Sequence, residues 1–199
     1  MKMTSAERAQ MMLHAPVSQI IPKLAVPTII SMLITSIYNM ADTYFVSQIS
    51  TSASGAVGVV FSVMGIIQAL AFTIGMGSGA PISQALGSGK ADEAQTLCNV
   101  GFFTALLTGI VILILGNVFI EPIVGFLGAT DTIAPHAMAY ASYIFYAAPF
   151  MMCSFVMNNH LRFQGLATYG MVGITTGGIL NMILDPIFIS SRARRSSAS

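Results

Sequence analysis

Leu24-Ala25-Val26-Pro27-Thr28-Ile29-Ile30-Ser31-Met32-Leu33-Ile34-Thr35-Ser36-Ile37-Tyr38-Asn39-Met40-Ala41-Asp42-Thr43-Tyr44-Phe45-Val46-Ser47 carries a single charged side chain, Asp42. An apolar run of about 20 residues crosses roughly 30 Å of hydrocarbon as a helix. The run continues: between Lys23 and Lys90 no other charged residue occurs, which leaves room for a second span. Hydrocarbon offers the backbone no water, so a segment that bonds its own N–H and C=O groups is expected, and that segment is a helix.

Composition agrees. The 199 residues are 55% hydrophobic and 8% charged, with a mean hydropathy of +0.79. A soluble domain carries roughly 25% charged residues, so this chain lacks the polar side chains to coat a surface in water. A net charge of +1 gives no basic patch for nucleic acid. Cys98 and Cys153 lie in or beside apolar stretches, without the CxxC or histidine spacing of a metal site. No small-residue cleavage pattern follows the first apolar run, which reads as a span rather than a signal peptide.

Working outward, the fold class is an all-α integral membrane protein of about five transmembrane helices, at roughly 24–47, 56–86, 95–119, 137–159 and 168–189. Residues 48–55 form a polar connector ending in Gly55, and Gly87-Ser88-Gly89-Lys90 a turn before an acidic helix start at Asp92 and Glu93. Residues 121–135, with prolines, glycines and acids, read as a loop with room for a short interfacial helix. Lysine and arginine set orientation. Lys2, Arg8 and Lys23 precede the first span, Lys90 falls between the second and third, and Arg162 between the fourth and fifth, whereas 48–55 and 120–136 contain neither residue. The segment 1–23 is therefore expected in the cytoplasm. The tail 190–199, with Arg192, Arg194 and Arg195 among serines, falls on the wrong side for this rule and reads as foreign to the rest.

Asp42 and Asp185 are the acids expected inside the bilayer. A charge at a helix centre costs about 2.5–3.5 kcal/mol on insertion scales, and low dielectric disfavours the ionised carboxyl. Such a group suits exchange of a proton or cation; the plainer alternative places each acid at a helix end among headgroups. Asn181 lies four residues before Asp185, and Tyr38 and Asn39 lie four and three before Asp42, so each set shares a helix face. Asn158 and Asn159 close the fourth span. Acids and amides together could hold a proton or a dehydrated Na⁺, or the asparagines could simply bond between helices. Pro27 removes a backbone bond and bends the first helix, as a static kink or a hinge. Gly75/Gly79 and Gly173/Gly177 are GxxxG pairs that permit close helix approach. Gly87-Ser88-Gly89-Lys90 is not a phosphate loop, because Gln84 and Ala91 stand where that motif needs Gly and Ser/Thr. Fourteen methionines and aromatics such as Phe61, Phe72, Phe145, Tyr146 and Phe150 suit an adaptable apolar cavity, or plain lipid-facing packing.

Four motifs in order, Tyr38–Val46, Gly75–Gly87, Asn158–Gly165 and Asn181–Ile189, together resemble the multidrug and toxic compound extrusion (MATE) family, in its DinF/MepA-like branch. The resemblance spans about residues 15–189. It implies a twelve-helix protein in two six-helix lobes that exports amphipathic, often cationic compounds in exchange for Na⁺ or H⁺, in a cell membrane, without a cofactor. It further implies a cation site, a possible Na⁺ site, at Asp42, Asn181 and Asp185, with the helix-one proline at Pro27. Tyr38, Asn39, Asn158 and Asn159 are expected to support that site. Helix six and a second lobe lie beyond the resemblance, so a truncated N-lobe fragment is expected, and an inactive one is an alternative. A lipid-intermediate flippase of the same superfamily is another. An intramembrane aspartyl protease is a remote one, since Asp185 follows Ile183-Leu184 rather than a Gly-x-Gly pattern.

Overall fold

The computed structural model describes residues 15–47 and 51–180, with the side chains of Tyr38 and of residues 41–47 and 51–54 excluded. The elements in order are α1 (Val17–Ser47), α2 (Thr51–Gly87), α3 (Ala91–Val118), the short α4 (Ile120–Phe126) and α5 (Ala134–Phe163). A further helix, α6, covers 167–180. The all-helical membrane architecture expected from the sequence is what the structure shows. Segments within α1, α2, α3 and α5 are each long and apolar enough to cross a membrane. The rest of the fifth expected span, 181–189, and the tail 190–199 lie outside the described residues.

Helix α1 starts earlier than the first expected span, at Val17, and so takes in Pro22 and Lys23 as well as Pro27. Pro16 precedes it, with Gln19 N–H donating to the Pro16 carbonyl at 2.9 Å. A proline and a lysine read as a boundary in the sequence, yet a helix can run past the hydrocarbon into the headgroups. Helix α2, 37 residues long, extends about 55 Å at 1.5 Å per residue and likewise outreaches the bilayer core. The stretch between α3 and α5 holds α4, with Glu121 and Pro122 in its opening turn. Three turns close on glycines with positive φ: Gly89, Gly128 and Gly165. At the first, Lys90 N–H reaches back to the Ala85 carbonyl at 2.9 Å and α3 begins with Asp92 and Glu93 at its positive end.

The core is a three-helix unit. Helix α5 runs parallel to α2, since Gly55 meets Ile133, Gly75 meets Asn159 and Gly79 meets Phe163. It runs antiparallel to α3, since Gly101 meets His160, Gly109 meets Pro149 and Gly116 meets Phe145. The buried stripe of α5 is Ala137, Ala141, Phe145, Ala148, Met152, Val156 and Asn159, spaced by threes and fours as a helix face requires. Facing it, α2 buries Ala56, Val60, Val63, Ile67 and Ala71, continued by Gly75 and Gly79.

Helix α3 shows which solvent the fold is built for. Its buried face is small: Ala94, Gly101, Ala105, Gly109 and Gly116. Its exposed face is large and apolar: Val100, Phe103, Leu107, Val111, Ile114 and Val118, with Leu107 65% exposed. In water this distribution would leave a sticky surface. In lipid, where tails are as apolar as leucine, helices gain little by burying leucine and associate through small residues that let backbones approach. Gly75 and Gly79 do this against α5. Gly173 and Gly177 do not: a Cβ at either would meet nothing within 4 Å among the described residues.

Candidate functional site

Polar side chains inside the bundle hold helices together at defined points. Ser78 Oγ lies 2.7 Å from His160 Nε2, linking α2 to α5, and Gly101 of α3 presses against both. Towards the end of the same helices, Ser83 Oγ–H donates to the Phe163 carbonyl at 2.8 Å. Gln164 Nε2–H points to Cys98 Sγ at 3.3 Å. On the far side, Ser142 Oγ–H donates to Asn117 Oδ1 at 3.0 Å, and Asn117 Nδ2–H to the Leu113 carbonyl at 2.8 Å.

The sequence-derived site is only partly within the described residues. Asp42 belongs to the unbroken helix α1, but its side chain and that of Tyr38 lie outside what is described, as do Asn181 and Asp185 altogether. Among the described residues no three His, Cys, Asp or Glu side chains gather as metal ligands would. Asn39 is partly buried and partnered. Asn158 Nδ2–H donates to the Gly170 carbonyl at 3.2 Å, tying α5 to α6, the helix that leads to Asn181. Asn159 is 6% exposed; its Nδ2–H donates to the Phe155 carbonyl at 2.9 Å and its side chain packs on Gly75.

Pro27 sits in a weakened stretch of α1. It has no N–H to give to Lys23. Around it Thr28, Ser31 and Thr35 turn their hydroxyls back onto the carbonyls of Leu24, Pro27 and Ser31 at 3.0, 2.8 and 2.9 Å. Such back-bonding competes with the helix ladder and favours bending. Beside this stretch a cavity of about 480 Å³ opens between α1, α2 and α5. Leu24, Met32, Phe72, Met76 and Phe163 form its apolar wall, and Ser83, Asn159 and Arg162 its polar side. The expectation of a methionine- and aromatic-lined cavity named Phe72, which lines this one; Ser83 and Arg162 went unnoticed as lining. In the sequence Arg162 marks topology and belongs to the Asn158–Gly165 motif; its nearness to apolar residues of α1 and α2 comes only from the packing of the helices.

Bundle, small-residue interfaces and lipid-like exterior define a polytopic helical membrane protein, and the comparisons define it further. The MatE family model matches residues 27–187, and the chain belongs to that family. A FAD transporter of Shewanella oneidensis is 30% identical over 178 residues, 89% of this chain and 39% of that relative. The multidrug export protein MepA of Staphylococcus aureus is 26% identical over 176 residues, 88% of this chain and 39% of that relative. A solved structure described as the outward-facing conformation of a multidrug resistance MATE family transporter of the MOP superfamily superposes with a TM-score of 0.87 at 29% identity. That superposition covers 96% of this chain and 42% of the other. The chain thus spans about two fifths of the length of these relatives, which are transporters. The MATE resemblance read from the four motifs is therefore shown.

Proposed function

We propose that this chain works as a transporter rather than an enzyme, in cation-coupled export of amphipathic, often cationic compounds, with Na⁺ or H⁺ as the coupling ion. The observation that carries the reading is Asp42 on an uninterrupted helix of 31 residues, the only charge between Lys23 and Lys90, within the family match. A relative named as a multidrug exporter supports the substrate class. The chain resides in the plasma membrane with its N-terminus in the cytoplasm. Lys23, Lys90 and Arg162 all fall near the Ser83–Phe163 end of the bundle, which supports that orientation.

In this mechanism Asp42 and Asp185, with the side-chain oxygen of Asn181, take a proton or Na⁺ from outside. A cation entering there neutralises charge that low dielectric penalises. The transmembrane potential adds about 2.3 kcal/mol per charge per 100 mV. Loading reshapes α1 at its weak point around Pro27 and releases substrate outward. The test is ethidium accumulation in bacteria that express the chain, under imposed Na⁺ and proton gradients. The chain lowers accumulation and Asp42→Asn abolishes the effect; equal export by both overturns the assignment.

A second reading is export of FAD, favoured by the 30% identity to a FAD transporter. Release of FAD into the medium by the same cells, absent with Asp42→Asn, separates it from drug export.

A further inference from the structure

We propose that the cavity between α1, α2 and α5 binds an amphipathic anion, with its acidic head on Arg162 and Asn159 and its apolar chain along Leu24, Met32, Phe72 and Met76. Arg162 lines this cavity and is partly buried near the end of α5. Its guanidinium makes no ion pair or hydrogen bond among the described residues. Among the described residues no carboxylate lines the cavity. Arginine stays charged at any physiological pH, and its planar fork of donors fits carboxylate and phosphate two bonds at a time. Removing such a group from water without acceptors is costly, so its setting favours a ligand that brings them.

The neighbours narrow the ligand further. The Ser83 hydroxyl hydrogen is already given to the Phe163 carbonyl, which leaves that side chain no donor for an anion. Asn159 uses one N–H on the Phe155 carbonyl, and its amide carries a second N–H to offer the ligand. The remaining wall is thioether, aliphatic and aromatic, adaptable towards an alkyl chain. A volume of about 480 Å³ falls within the roughly 300–1,000 Å³ of small-molecule sites. Neither Asp42 nor Asp185, the carboxyls proposed to load the coupling ion, is among the described residues that line this cavity. A membrane lipid and a soluble amphipath share the required chemistry.

The test is calorimetric titration of the full chain, held in phosphatidylcholine nanodiscs, with octyl phosphate, inorganic phosphate and octyltrimethylammonium. Octyl phosphate binds at least tenfold tighter than either control, and Arg162→Gln weakens it at least tenfold, with Arg162→Lys intermediate. Met76→Trp, at an exposed position on the cavity wall, weakens it as well and provides the readout if Arg162→Gln fails to fold. Repeating the titration in phosphatidylglycerol nanodiscs distinguishes the sources. Weaker binding there identifies a resident acidic lipid, and unchanged binding identifies a soluble amphipath. Wild-type affinity in Arg162→Gln or Met76→Trp, or inorganic phosphate binding as tightly as octyl phosphate, overturns the proposal.

Discussion

Ser78 Oγ stands 2.7 Å from His160 Nε2 at the point where α2, α3 and α5 meet. Ser78 is also 2.7 Å from the Ile74 carbonyl. A carbonyl can only accept, and a serine has one hydrogen to give. That hydrogen goes to Ile74, and His160 donates through Nε2–H. Ser78→Ala therefore leaves a buried imidazole N–H without its acceptor, at a cost of about 1–3 kcal/mol. Thermal unfolding in detergent should show a lowered midpoint for Ser78→Ala. A Ser78→Ala/His160→Ala double mutant should lose less than the sum of the singles; strict additivity would mean the two residues are not coupled.

The glycines divide into two classes that unfolding can tell apart. A Cβ on Gly101 would stand 2.8 Å from both His160 Cε1 and Ser78 Oγ, and one on Gly109 would strike the backbone of Pro149. Overpacking of this kind costs about 1–3 kcal/mol, and Gly109→Ala should be the worse because backbone yields less than a side chain. Gly58 and Gly77 face open space, so alanine there gains up to about 1 kcal/mol of helix propensity. Equal effects at Gly109 and Gly77 would contradict the packing described.

Asn158 joins α5 to α6 by its bond to the Gly170 carbonyl. An interhelical bond in a membrane protein is worth about 0.6 kcal/mol on average, too little to unfold the bundle. Asn158→Ala should leave the global midpoint near that of the wild type while accelerating hydrogen exchange over the first turn of 167–180. Unchanged exchange there would show that the bond does not hold α6.

Orientation is open to chemical labelling. Phe126, 91% exposed, closes α4 at the opposite end from Lys90. With Cys98 and Cys153 replaced by serine and alanine, Phe126→Cys should react with a membrane-impermeant maleimide in intact cells. Lys90→Cys should react only after the cells are opened. The reverse pattern would place the N-terminus outside.

With Asp42 as the one charge between Lys23 and Lys90, membrane helices are legible, because only one solvent tolerates so long a run with so little charge. GxxxG states that a partner can approach, not that one does: Gly75 and Gly79 have theirs in α5, whereas Gly173 and Gly177 meet none among the described residues. The stripe of α3, Gly101-x₃-Ala105-x₃-Gly109, is a small-residue repeat whose central alanine hides it from a plain GxxxG pattern. Ser78 and His160 are 82 residues apart in sequence, and nothing local to either announces the other. Their meeting depends on α5 running parallel to α2, which follows from the connection through α4. Asp42, Asn181 and Asp185 stand out in the sequence because ionisable and amide groups in hydrocarbon need a reason to be there; the Asp42 side chain and the whole of Asn181 and Asp185 lie outside the described residues.

Infrared difference spectroscopy of the reconstituted chain, on raising pH or adding Na⁺, puts the cation-loading role of Asp42 to the most direct trial. The account predicts that a protonated-carboxyl band is lost on either treatment in the wild type, and that this component is missing from Asp42→Asn. Identical difference spectra for the two proteins would contradict it.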